Sequence, residues 1–225
     1  MPVVSANGIE IHYELSGEGT HTIAWTHGIG GSLEYWRDDL PHFPEFRHLS
    51  YDVRGMGQSE RVEGPVSLEL WAGDLAALME ALEIPRAIIA GSSMGGAITQ
   101  RFGIDFPELT EGLLILSTSS RVGPAAEANW SKRADETERT DPFLAAAQRA
   151  VASYHMDEEL TGIRVPALVL CGDQDQTTPA GGSVIISRCI PNAELEIYEG
   201  VGHAPLHEEP RSIERAREWL AQFLS

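Results

Sequence analysis

Gly91-Ser92-Ser93-Met94-Gly95 stands directly after the apolar run Ala87-Ile88-Ile89-Ala90 and directly before Gly96-Ala97-Ile98-Thr99-Gln100, which reads as the start of a helix. A serine on a sharp strand-to-helix turn projects its hydroxyl clear of the sheet. This requires residues two places to either side small enough for strand and helix to close on one another. Ser93 has Gly91 and Gly95 at those places, whereas Ser92 would have Ala90 and the bulkier Met94. A glycine- and serine-rich loop that only caps a helix would explain the composition, but not the strand before it and the helix after it. Ser93 is therefore the candidate nucleophile.

A serine hydroxyl attacks poorly at neutral pH unless a general base takes its proton, and the base needs a carboxylate to fix its tautomer. In sheets that carry such a turn, the acid and then the base follow the serine in the chain. His203 lies in Gly200-Val201-Gly202-His203-Ala204-Pro205, predicted as a loop between the strand around Leu195 and the last helix, which suits a base. His207 suggests a metal-binding pair, but Pro205 between the two denies them a shared helical face and no third ligand is evident, so neither metal nor cofactor is expected. The acid has two candidates in Gly172-Asp173-Gln174-Asp175-Gln176-Thr177-Thr178-Pro179. Asp173 follows a glycine, where aspartate often closes a turn, and Asp175 lies deeper in the loop at the carboxyl end of a strand, the more favourable place. An oxyanion needs two preorganised donors. Met94 offers one backbone amide, and the turn His27-Gly28-Ile29-Gly30-Gly31 can aim the Ile29 amide inward, with His27 holding the loop rather than reacting.

These residues must be positioned by alternating strands and helices. A hairpin turning at Asn7-Gly8 opens the chain, and short apolar runs follow at 22–26, 48–53, 87–90, 113–116, 167–171 and 195–198. Longer stretches separate them, several at helical spacing, and this implies right-handed crossovers and a mostly parallel sheet. The clearest helix spans 67–82, with Leu68, Trp71, Leu75, Leu78, Met79 and Leu82 on one face behind Ser67 as cap. The last helix starts at Pro210 and carries Ile213, Ala216, Leu220 and Phe223. Residues 121–164 are too long for a bare connection. They are predicted to hold one helix, begun by Asp141-Pro142 and striped by Phe143, Leu144, Ala147, Ala150, Val151 and Tyr154, as an insertion over one edge of the sheet.

With 225 residues and 42% hydrophobic content, a single domain over 1–225 is expected. The net charge of −18 repels phosphate backbones and anionic membranes, which argues against nucleic-acid or membrane partners. Lys132 is the sole lysine, and the other fifteen cations are arginines. Cys171 and Cys189 read as core thiols, not a disulfide framework. Met1-Pro2-Val3-Val4-Ser5 carries neither a basic nor a long apolar leader, so a soluble, cytoplasmic protein is expected. Self-association into a homo-oligomer is left open.

Five motifs in order, His27-Gly28-Ile29-Gly30, Asp52-Val53-Arg54-Gly55-Met56-Gly57-Gln58-Ser59, 91–96, 172–179 and Gly202-His203, resemble the α/β-hydrolases over nearly the whole chain. Within them the chain looks most like 3-oxoadipate enol-lactonases and their esterase and perhydrolase relatives. The resemblance implies an α/β-hydrolase fold, a mostly parallel sheet of about eight strands flanked by helices with a small helical cap at 121–164. It implies Ser93 as nucleophile, Asp175 as acid, His203 as base, and Ile29 with Met94 as oxyanion donors, with Asp52 and Arg54 structural. The reaction it implies is cofactor-free hydrolysis of a small ester or lactone. Enol-lactonase and perhydrolase activity are the alternatives. Such proteins usually carry a larger cap, so a shortened one should leave the site open, with Trp130, Lys132, Arg133 and Arg139 available to shape it.

Two rivals belong to other classes. A dinucleotide-binding unit would use Gly28, Gly30 and Asp52, but Leu33 stands where its fingerprint wants a small residue. A ligand-binding sensor that keeps the hydrolase residues would be marked by slow turnover and tight retention. Aspartate in place of Ser93 would have suited dehalogenase or epoxide hydrolase chemistry.

Overall fold

Asn7 and Gly8 both take positive φ, 47° and 77°, which makes the tight turn that pairs β1 (Val3–Ala6) antiparallel with β2 (Ile9–Ser16). The computed structural model describes residues 2–224. Met1, the first residue of the amino-terminal segment read above, and Ser225 lie outside them. The remaining strands are β3 (Thr22–Thr26), β4 (Arg47–Tyr51), β5 (Ala87–Ser92), β6 (Thr110–Leu116), β7 (Ala167–Gly172) and β8 (Ala193–Tyr198). They form one eight-stranded sheet in the order β1-β2-β4-β3-β5-β6-β7-β8. β2 meets β4 antiparallel, and every pairing from β4 onward is parallel.

The helices are α1 (Leu68–Ala81), α2 (Met94–Asp105), α3 (Pro124–Thr137), α4 (Pro142–Ala150), α5 (Asp157–Leu160), α6 (Gly181–Cys189), α7 (Pro205–Glu208) and α8 (Pro210–Leu220). Both faces of the central strands are covered, so β5 and β7 are buried at every residue and read as unbroken apolar runs rather than alternating ones. The side chains still alternate. Ile89, Ile115 and Val169 pack with Leu75, Met79 and Phe102 on one face, and Ile88, Leu114 and Leu168 with Trp25, Trp36 and Trp219 on the other.

The structure departs from the sequence reading at several boundaries. The strand predicted at 48–53 ends at Tyr51, because the Asp52 carboxylate accepts the Leu33 and Gln58 amides, each at 2.7 Å, and His12 Nδ1, and so turns the chain off the sheet. Between β6 and β7 there are three helices rather than one. Asp141 caps α4 by accepting the Leu144 amide at 3.0 Å, but α4 stops at Ala150, short of Val151 and Tyr154. α3 was not predicted because its sequence has no apolar face, and Ala134 is its one buried residue. The last helix likewise ends at Leu220, before Phe223, which falls in a 3-10 turn. Among the described residues no helix is long and apolar enough to cross a membrane.

Candidate active site

Ser93 links β5 to α2 with φ 58° and ψ −120°, a conformation that costs a side-chain-bearing residue about 1–3 kcal/mol and persists only when its surroundings impose it. The constraint is visible on both sides. The Ser93 amide donates to Leu116 O at 3.0 Å, and the Ser93 carbonyl accepts the Ala97 amide at 3.1 Å. A Cβ on Gly95 would fall 2.0 Å from Thr26 O, and one on Gly91 would fall 2.3 Å from Gly95 O. Gly95→Ala is therefore expected to cost about 3 kcal/mol or more in urea denaturation, since the overlap is with backbone that cannot step aside. Gly181→Ala, where a Cβ meets nothing within 4 Å, is the matched control and should stay within about 0.5 kcal/mol of the parent. Equal urea midpoints for the two variants would refute this steric account. Ser92, by contrast, is buried inside β5.

Of the two aspartates after β7, Asp175 faces the imidazole. His203 Nδ1–H donates to Asp175 Oδ2 at 2.7 Å, which leaves Nε2 free of its proton in the neutral ring. The carboxylate's other oxygen accepts the amides of Thr177 and Thr178 at 2.8 and 2.9 Å, and the Thr178 hydroxyl donates to Oδ2 at 2.8 Å. Burial pushes the Asp175 carboxyl up, but these hydrogen bonds, led by the one from His203, outweigh it and hold the group below the usual carboxylate range. Asp173 is exposed and accepts the Gly200 amide at 2.7 Å, so it ties down the loop that carries His203 without touching the ring. Glu208 completes that hold, because its carboxylate accepts the amides flanking His203, Gly202 at 2.7 Å and Ala204 at 2.9 Å. The sequence reading missed Glu208 and Thr178. The signal for Glu208 was an acidic side chain one turn into a helix, placed to cap its start, and the signal for Thr178 was a threonine three residues after an aspartate in a turn.

His27 is fully buried, and burial pushes its pKa down, against smaller upward effects from Gly28 O and Asp52. Its Nε2 accepts the Val53 amide at 3.0 Å, so the proton is on Nδ1, which donates to Gly28 O at 2.7 Å. Gly31 N also donates to Gly28 O, at 3.1 Å, and Gly30 takes φ 71°. This closes a tight turn in which the Ile29 amide has no acceptor among the described residues. The Met94 amide, at the first position of α2, has no carbonyl one turn back to bond. The loop beyond is fixed by Asp52, and Arg54 pairs with Asp74 at 2.6 Å and with Asn7 O at 2.9 Å. His207 Nε2 bonds Asp39 Oδ2 at 2.7 Å instead of sharing a ligand with His203.

Two cavities meet at Ser93. The first, about 280 Å³, reaches Ile29, Ser93 and Met94 and is walled by Tyr154, Gly181 and Ile185. The second, about 300 Å³, holds His203 with Ser93, Ile29, Tyr35 and Arg133. Trp130 and Thr177 border both. Of the four residues offered by 121–164, Trp130 and Arg133 line this space, the guanidinium lying 5.1 Å from the indole centroid. Lys132 is 75% exposed beside Glu136, and Arg139 is exposed outside both linings. Tyr35, Tyr154 and Ile185 were not anticipated, because spacing alone does not show which side chains of distant loops converge.

A family model described as the alpha/beta hydrolase fold matches residues 25–131. The chain is 24% identical to 3-oxoadipate enol-lactonase 2 of Acinetobacter baylyi, covering 96% of this chain and 94% of that protein. Among solved structures, a hydrolase from Pseudomonas aeruginosa PA01 aligns with TM-score 0.88 at 27% identity, covering 98% of this chain and 97% of that one. The enol-lactonase from Burkholderia xenovorans LB400 aligns with TM-score 0.87 at 25% identity, covering 98% and 100%.

Proposed function

The chain belongs to the α/β-hydrolase superfamily, and on that premise we propose that it is a serine hydrolase cleaving small carboxylic esters or lactones through an acyl-enzyme on Ser93. The observation that carries this reading is the 2.7 Å bond from His203 Nδ1 to Asp175, with the imidazole bordering the same cavity as the strained Ser93. His203 Nε2 takes the Ser93 hydroxyl proton as Oγ bonds to the substrate carbonyl carbon, and the carbonyl π pair moves onto oxygen. The amides of Ile29 and Met94 stabilise that oxyanion, each donor worth about 3–4 kcal/mol by analogy with known oxyanion holes. The imidazolium then protonates the departing alkoxide as its bond to carbon breaks. Water, deprotonated by the same nitrogen, releases the acid and returns the proton to Ser93.

The pH dependence tests the assignment of the base. Asp175 is held below the ordinary aspartate value of about 3.9, so it stays ionised and supplies no acid limb across pH 5–8, whereas a general base must be unprotonated to act. Hydrolysis of short p-nitrophenyl esters should therefore rise with pH across that window, and a flat profile would remove a histidine base from the mechanism. The same depression makes Asp175 a source of stability that is present above the unfolded carboxyl's pKa and lost as pH falls through the lower folded value. A panel of acyl esters, lactones, thioesters and peracid formation identifies the preferred carbonyl class. Tight ligand retention without turnover on any of these substrates would instead favour a sensor.

A further inference from the structure

We propose that Trp130 divides the site into two lobes with separate tasks, the first cavity receiving the acyl group and the second the departing alcohol, and that Gly181 sets the length of acyl chain accepted. This rests on the serine hydrolase reading and adds to it which part of an ester each lobe recognises.

The assignment follows from where protons and charge must go. When the tetrahedral intermediate collapses, the departing oxygen has to lie within reach of the imidazolium, because a poor leaving group leaves only as it is protonated. The carbonyl oxygen meanwhile faces the two amides. The second cavity contains His203 and lacks Met94, whereas the first contains both Ile29 and Met94 and lacks His203. The alcohol, and later the water, therefore occupies the second cavity, and the acyl chain is left to the first. Both cavities are at the small end of the ~300–1,000 Å³ range of ligand pockets, which suits compact esters over long-chain lipids.

The walls differ accordingly. The acyl lobe is closed by Val151, Tyr154, Pro179 and Ile185, with the Tyr154 hydroxyl 3.3 Å from both Ser119 Oγ and Ser119 O and with Arg121 on its border paired to Asp157 at 3.2 Å. The alcohol lobe is edged by Tyr35 and by the Arg133 guanidinium stacked on Trp130. Gly181 opens α6 at the exposed rim of the first cavity, and a Cβ there meets nothing within 4 Å, so a larger side chain is accommodated at that rim without disturbing the backbone. Its neighbour Gly182 has no such freedom, since its Cβ would lie 2.8 Å from Ser119 Cβ.

The test compares two ratios of kcat/KM. One is p-nitrophenyl hexanoate over p-nitrophenyl acetate, which varies the acyl chain, and the other is phenyl acetate over ethyl acetate, which varies the alcohol. Gly181→Leu should lower the acyl ratio about tenfold or more and leave the alcohol ratio within about twofold, on the scale of the known effect of a methylene in an apolar pocket. Ile185→Ala, which enlarges the same lobe, should move the acyl ratio the other way. Tyr35→Ala should change the alcohol ratio and not the acyl ratio. Exchange of the two effects between lobes, or both ratios unmoved in all three variants, would overturn the assignment while Ser93-dependent turnover by the parent protein persisted. Absence of any Ser93-dependent turnover would overturn the parent reading and this one together.

Discussion

Ser93→Ala is expected to abolish covalent labelling by a fluorophosphonate probe and to reduce kcat for a p-nitrophenyl ester about a millionfold, the scale seen when the nucleophile of a comparable site is removed. The loss is large because, in the proposed mechanism, Oγ is the atom that bonds to the carbonyl carbon. A residual acceleration of about 10³–10⁴ over water should survive, because the Ile29 and Met94 amides and the cavities remain. Ser92→Ala is the matched variant, since Ser92 is a buried residue of β5. Intact-mass measurement after labelling separates the two. Adduct formation that survives in Ser93→Ala and vanishes in Ser92→Ala would place the turn one residue out of register and end the present mechanism.

Asp175→Asn should cost about 10⁴-fold in kcat, whereas Asp173→Asn should change it by less than about tenfold. Asp175 is the carboxylate that fixes His203 with its proton on Nδ1, and an amide there can present an N–H to the ring and reverse the tautomer. Asp173 Oδ1 accepts the Gly200 amide at 2.7 Å and the Gln174 side-chain amide at 3.1 Å, and an asparagine side-chain oxygen can accept the same bonds. Steady-state turnover on one ester at pH 8 decides between them. Comparable losses in the two variants would mean that the loop's integrity, not the imidazole's orientation, governs the rate.

The fold was legible because its strands are short apolar runs of the kind only a covered parallel sheet requires. Ala87-Ile88-Ile89-Ala90 and Ala167-Leu168-Val169-Leu170-Cys171 leave no solvent face to write in polar residues. The turn at Ser93 was legible for a different reason, since its steric demands fall on Gly91 and Gly95, within two residues of the serine. What escaped was whatever depends on partners distant in the chain or on a helix without an apolar stripe. α3 is polar on nearly every face and is held by its neighbours rather than by its own periodicity, so no pattern marked it. Glu208 and Thr178 bond backbone and carboxylate groups whose positions only the folded loops define. The lining supplied by Tyr35 to one cavity and by Tyr154 and Ile185 to the other comes from three separate connections, and no spacing rule brings them around Ser93.

The placement of α3 bears on how the protein can be handled. Its Lys132 carries the chain's one side-chain amine, three-quarters exposed and two residues along α3 from Trp130, which borders both cavities. Among side chains, succinimidyl dyes, and beads or sensor chips that capture lysines, would attach only to α3, so a preparation immobilised in this way is tethered through the helix that also carries Trp130.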